Sequence, residues 1–172
     1  MAAATSQAQL ATGSTATWVN AEGGVKWNRE DTIGGLSTTP IPTVTGTAYT
    51  WIKNIVLSVT VAGTTAITNR RVSLAAAAST GLFLHWKALA VASYAQAAVG
   101  NLPAASGSNG AVPAGYTLMS TTAAQYDNTS VATSGTGPNG MMAVIVAAVD
   151  NTFIIGAGVA ALPNVVLTYD EA

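Results

Sequence analysis

From Ile55 to Ala62 the chain alternates with a period of two. Ile55, Leu57, Val59 and Val61 fall on one side, and Val56, Ser58, Thr60 and Ala62 on the other. That period, carried by β-branched residues, is the pattern of a β-strand, whose successive side chains point to opposite faces. The turn "AGTT" follows, then a second run, "AITNRRVSL" (66–74). Residues 49–74 therefore predict a β-hairpin. Leu82, Leu84 and Trp86 alternate in the same way and predict a strand over 81–87, followed by an Ala-rich loop or short helix. "MMAVIVAAV" (141–149) and "NVVLTYD" (164–170) read as closing core strands.

The weaker patterns fill the intervals. "TWVNAEGGVKWNRED" (17–31) gives two short strand-like pieces around Gly23–Gly24, and "YTLMS" (116–120) another short strand. "TTAAQYD" (121–127) begins with a capping Thr and predicts one helical turn. Pro40 and Pro42 give 32–48 an extended path unsuited to a central strand. "NLPAASGSNGAVPAG" (101–115) is a low-complexity loop and "SGTGPNG" (134–140) a turn cluster. Residues 1–16 are small and polar without periodicity, and read as an N-terminal arm. The expectation is an arm (1–16) followed by one all-β domain (17–172). About eight strands would form an antiparallel β-sandwich, jelly-roll-like in its long connections. No repeat of 20–50 residues points to a solenoid or propeller.

A chain of 172 residues is long enough to bury a sizeable core without covalent staples. It has no cysteine, which excludes disulfides, thiolate metal sites and Cys nucleophiles. Charge changes the picture most. Charged residues are 8% of the chain, against about 25% in an ordinary globular protein, and the net charge is −1. Six Lys and Arg cannot build the basic face that nucleic acid requires. The longest apolar run is strand-sized and well short of the ~18 residues of a membrane-spanning helix. The N-terminus has neither the basic nor the apolar region of a signal peptide.

Two of the six basic residues, Arg70 and Arg71, are adjacent within a predicted strand. They must point to opposite faces unless a bulge intervenes. Three roles are open to them: a solvent-facing arginine beside a strand-end bulge, an intersubunit ion pair, or an anion site. Glu30 and Asp31 form the nearest acidic cluster that a loop or a second subunit could bring over, so Arg70, Arg71, Glu30 and Asp31 are the candidate interface residues. The single histidine, His85, lies between apolar neighbours and reads as a structural residue. The glycine-rich stretches fit neither a dinucleotide fingerprint nor a P-loop. Asn128-Thr129-Ser130 is a formal glycosylation sequon. Trp18, Trp27, Trp51 and Trp86 are anchors for a core or a subunit interface; exposed together they could stack on sugars. No catalytic residue, metal ligand or cofactor site is expected.

The polar arm, the Ala/Thr/Gly strands, the sparse charge, the missing cysteine and the long small-residue loops together resemble the virion proteins of tailed bacteriophages. The small head decoration (cement) proteins are most similar. That resemblance implies a non-enzymatic protein of the virion, assembled in the host cytoplasm. It would form a homo-oligomer, most simply a trimer, on the lattice of the major capsid protein, without nucleic-acid or membrane partners. A carbohydrate- or receptor-binding domain of a tail tip or fibre is the alternative, and a hydrolase built on His85 with Asp127 or Asp150 the third.

Overall fold

The computed structural model describes residues 5–22, 47–50, 52–61, 66–96, 112–130, 138–150 and 164–171. Ten strands are assigned among them: β1 (Thr5–Thr12), β2 (Thr17–Asn20), β3 (Thr47–Tyr49), β4 (Lys53–Val61), β5 (Ile67–Leu74), β6 (Leu82–Ala90), β7 (Thr117–Leu118), β8 (Ala124–Asp127), β9 (Met141–Asp150) and β10 (Val165–Glu171). The only helical element among the described residues is a single 3-10 turn, Val91–Ser93. The strands form two sheets with antiparallel pairing throughout. The larger has the order β2-β1-β4-β9-β6-β7, with β3 also paired to β9, and the smaller is β10-β5-β8. The fold is an all-β sandwich, as the alternating pattern predicts.

β9 is the centre. Residues Met142 to Ala148 are each at most 1% exposed. Ala143, Ile145 and Ala147 face the small sheet, packing with Leu10, Ile55, Leu82 and Leu84 against Val72, Leu74 and Tyr126. Met142, Val144, Val146 and Ala148 face the other way, with Tyr49, Ile52 and Val56. A strand apolar on both faces must be covered on both, which is why this run has no polar position. Its alanines keep the bulk down where two layers meet.

β3 and β4 both pair along the same edge of β9. Tyr49 lies opposite Ala148, but Lys53 lies opposite Ile145, so one extra residue is accommodated between them. Thr50 bridges the irregularity. Its N–H donates to the Ala147 carbonyl at 2.8 Å, and its hydroxyl accepts from the Ala147 N–H at 3.0 Å, standing in for a backbone carbonyl.

Four expectations are corrected. The hairpin over 49–74 does not form: β4 pairs with β1 and β9, whereas β5 pairs with β10 and β8, so the two runs belong to different sheets. The turn "AGTT" lies outside the described residues. Residues 5–12, expected within an arm, are β1, hydrogen-bonded between β2 and β4 with Leu10 and Ala11 buried. The segment does add to a strand edge, but the edge is that of its own chain. The turn of helix expected in 121–127 is instead β8, because Ala124 and Gln125 pair with Val72 and Arg71; tertiary pairing overrides the local preference. β10 is an edge strand, half-buried rather than core. The long connection over 32–48 lies outside the described residues except for its last two positions, which open β3.

Candidate functional site

The two adjacent arginines point in opposite directions. Arg70 shares the buried face of β5 with Val72 and Leu74, and Arg71 points out. The strand is irregular here, as the sequence allowed. Asn69 adopts a left-handed backbone with φ 49°, and the pairing with β8 shifts between Arg70 and Arg71. The left-handed Asn69, with the matching shift against β10 between Thr168 and Asp170, puts one extra β5 residue there and explains why Ile67 is buried although it is out of phase with Arg70.

Arg70 is 1% exposed and pairs with Asp127 on β8, the residue opposite it. The pair occupies the fork where β4 and β9 separate. Pairing between those strands ends at Ile55 and Ala143, although the same register would place Leu57 opposite Met141. Side chains of the small sheet take over the ladder there. The Leu57 carbonyl accepts from Arg70 Nη1 at 3.2 Å, and the Leu57 N–H donates to the Tyr126 hydroxyl at 3.2 Å. The Met141 N–H donates to Asp127 Oδ2 at 2.7 Å. Arg70 Nη1 also donates to the Asn139 carbonyl at 3.1 Å, and Asp127 Oδ1 accepts from the Thr129 N–H at 2.7 Å. Arg70 Nε is the one polar atom of the pair left without a partner. Burial pushes the Tyr126 hydroxyl up to about 12, so it stays neutral as an acceptor for Leu57. Gly140 completes the clasp. Its φ is +71°, and a Cβ there would run into the Asp127 carboxylate and the Arg70 guanidinium.

On the solvent side of the small sheet a second polar chain runs across all three strands. Arg71 Nη1 and Nη2 grip both oxygens of Asp170 at 2.8 and 2.6 Å. Asn69 Nδ2 donates to Asp170 Oδ2 at 2.9 Å, and Gln125 Nε2 donates to Asn69 Oδ1 at 2.7 Å. The donors from Arg71 and Asn69 hold the Asp170 carboxyl down at about 2. The acidic partners of the arginines are thus Asp127 and Asp170 of the same chain. Glu30 and Asp31 lie outside the described residues.

The outer face of the large sheet carries the remaining candidate chemistry. His85 sits on β6 opposite Val146 of β9 and Leu118 of β7, fully buried, with no hydrogen-bond partner on either ring nitrogen. Its ring stacks on Phe83 at 6.4 Å between centroids. Burial without compensation lowers its pKa to about 4. Asp127 is engaged in the clasp with Arg70, so no His85–Asp127 site is assembled. Segment 91–96 crosses this face. Asn54 Nδ2 donates to the Ala95 carbonyl at 3.1 Å, and the Tyr94 hydroxyl donates to the Gly13 carbonyl at 2.8 Å. Trp18 lies against Tyr94 at 6.4 Å, tilted by 54°. At the other end, Lys87 Nζ stands 4.7 Å above the Tyr116 ring. Trp86 packs half-buried against the inter-sheet core, while Trp27 and Trp51 lie outside the described residues. No family model matches the chain, and neither a curated protein nor a solved structure matches it.

Among the described residues, what remains for the surface carries few charges. Lys53, Arg70, Asp127 and Asp150 are buried, and Arg71 and Asp170 neutralise each other. Among the described residues this leaves Lys87, held over an aromatic ring, with the exposed Glu22 and Glu171. The large apolar side chains exposed among those residues are Val112 and Leu118, the second of them in β7 at one edge of the large sheet. Sequence reasoning missed Asp127 and Asp170 as arginine partners, because pairing across 57 and 99 positions leaves no local signal. The Pro-Asn-Gly run before β9 was a readable sign of a tight backbone approach.

Proposed function

We propose that this chain is a non-enzymatic structural protein of a virion, a decoration protein that oligomerises and sits on a capsid lattice. The observation that carries the reading is where the charge goes. Among the described residues most charged groups are buried or paired, leaving Lys87, Glu22 and Glu171, so that part of the surface has little net field with which to repel a neighbour. An interface made from such a surface desolvates few ions, and neutral contact suits the obligate interfaces of roughly 2,000 Å² or more that hold permanent assemblies. The clasp at the β4–β9 fork and the polar chain on the small sheet act as rigid internal supports, consistent with a load-carrying module.

The sugar-binding alternative is the weaker reading. Trp18 and Tyr94 are half-buried and tilted by 54°, and Tyr116 is covered by Lys87, so these rings offer no flat platform for a pyranose face.

The test is direct. Cryo-electron microscopy of the particle that carries this protein should show the sandwich as symmetric clusters on the outside of the head. Density for it at the tail, or its absence from the particle, would overturn the reading.

A further inference from the structure

His85 is the one fully buried titratable ring in the described structure with neither nitrogen partnered, and it lies next to the weakest edge of the large sheet. On its inner side is β9, paired with β6 from Leu82 to Ala90. On its outer side is β7, which pairs with β6 only through His85–Leu118 and Trp86–Thr117. Leu118, across from His85 on the same face, is 49% exposed. An exposed residue of a two-residue strand is thus the direct cross-strand neighbour of the buried imidazole.

We propose that protonation of His85 releases β7 from the edge of the large sheet while the rest of the sandwich stays folded. A protonated imidazole needs an acceptor on each nitrogen, and no protein group is hydrogen-bonded to either one. Flanking it on β6 are Phe83 and Lys87, opposite it are Val146 and Leu118, and the nearest rows of β9 offer Val144 and Ala148. Lys87 adds a like charge two residues away, on the same face. Among the described residues the other titratable side chains on this face are Tyr49, Tyr94, Tyr116 and, at the far end of β9, Asp150. Tyr49 and Tyr116 are pushed up in pKa by burial, and Asp150 is four positions along β9 from Val146. The cation is hydrated most easily by moving β7, whose other attachments to β6 among the described residues are the Met119 N–H to the Leu84 carbonyl at 2.8 Å, the Met119 side chain in the core beside Leu82 and Leu84, and the contact of Tyr116 with Lys87. This device is independent of the assembly reading above.

Because His85 is the sole histidine, its ring signals in a nuclear magnetic resonance titration need no assignment variants. The Met119 amide reports on β7, and the Thr50 amide, bonded to Ala147, reports on the sheet centre. We expect the ring to titrate near 4. Between pH 7 and pH 3.5, after correction for intrinsic exchange, Met119 protection should fall about a hundredfold without dependence on low urea. Thr50 exchange should remain urea-dependent, as global unfolding requires. His85→Leu should abolish the acid response of Met119. Titration near 6.5, an unchanged Met119 amide, or Met119 exchange as urea-dependent as that of Thr50 would each overturn the proposal. So would the same acid response in His85→Leu. The wild-type comparison of the two amides decides the question even where that variant does not fold.

Discussion

Replacing Asp127 with alanine removes the carboxylate from the clasp and leaves everything that pointed at it. The Arg70 guanidinium, 1% exposed, becomes a buried cation with backbone carbonyls but no counter-charge. The N–H groups of Thr129 and Met141 lose their acceptor at the fork. Removing one partner of a buried ion pair costs about 3–5 kcal/mol, against a total stability of about 5–15 kcal/mol for a domain. With a urea dependence of about 2 kcal/mol per molar, the unfolding midpoint should drop by about 2 M. A double variant separates charge from shape. Arg70→Met with Asp127→Leu removes both ions, and buried pairs exchanged for apolar residues often lose little. Here Leu57, Asn139 and Met141 still lose their side-chain partners. Each lost partner costs about 1–3 kcal/mol. Together those losses are comparable with the cost of the broken pair, so the double variant should be destabilised by about as much as the single one, through unpaired backbone groups in place of an unpaired charge. Equilibrium urea unfolding followed by circular dichroism measures all three. If Asp127→Ala lies within about 1 kcal/mol of wild type, a threshold below the range for any broken buried pair, the clasp does not hold the fork and the reasoning fails.

Other outcomes follow from the same geometry. Gly140→Ala combines a left-handed residue, about 1–2 kcal/mol, with a Cβ pressed into the Asp127–Arg70 pair, and its urea midpoint should fall by at least that amount. Deleting residues 2–12 removes β1 and its buried Leu10 and exposes the edge of β4; calorimetry should show no cooperative transition where the intact chain has one. His85 has a folded pKa near 4 against 6.5 unfolded, so its contribution is full above 6.5 and is lost as pH falls through about 4. That is about 3 kcal/mol at 1.36 kcal/mol per unit, and a His85→Leu variant should show no such slope between pH 6.5 and 4.5. Asp170, held near 2, contributes with the same sign but at more acid pH, and Arg71→Gln should reduce that acid limb specifically.

Much of this fold is legible in the chain, and the parts that are not share a cause. β6 and β9 announce themselves because a half-buried strand alternates and a doubly buried one is continuously apolar. β4 alternates too, yet Val56 and Ser58 of its supposed outer side are as buried as Ile55 and Leu57. A strand flanked and covered on both sides has no free edge for its sequence neighbour, so β5 joined the other sheet. β1 carried a faint signal in Gln7 and Gln9 alternating with Ala8 and Leu10, but without β-branched residues it is masked by its small side chains. β8 was read as helical from local preference, although Tyr126 and Asp127 are needed as strand residues to reach Leu57 and Arg70. The opposed directions of Arg70 and Arg71 followed from strand geometry alone. Their partners did not, because an ion pair between distant strands is fixed by topology.

If a surface sparse in charge serves assembly, as proposed above, the mass of the protein in solution shows it most directly. Sedimentation equilibrium at neutral pH should give a multiple of the 17.2 kDa chain, with three copies as the expected number. Because few ions enter the contact, that mass should be unchanged between low and high salt. A single species of 17.2 kDa across the concentration range would contradict the account.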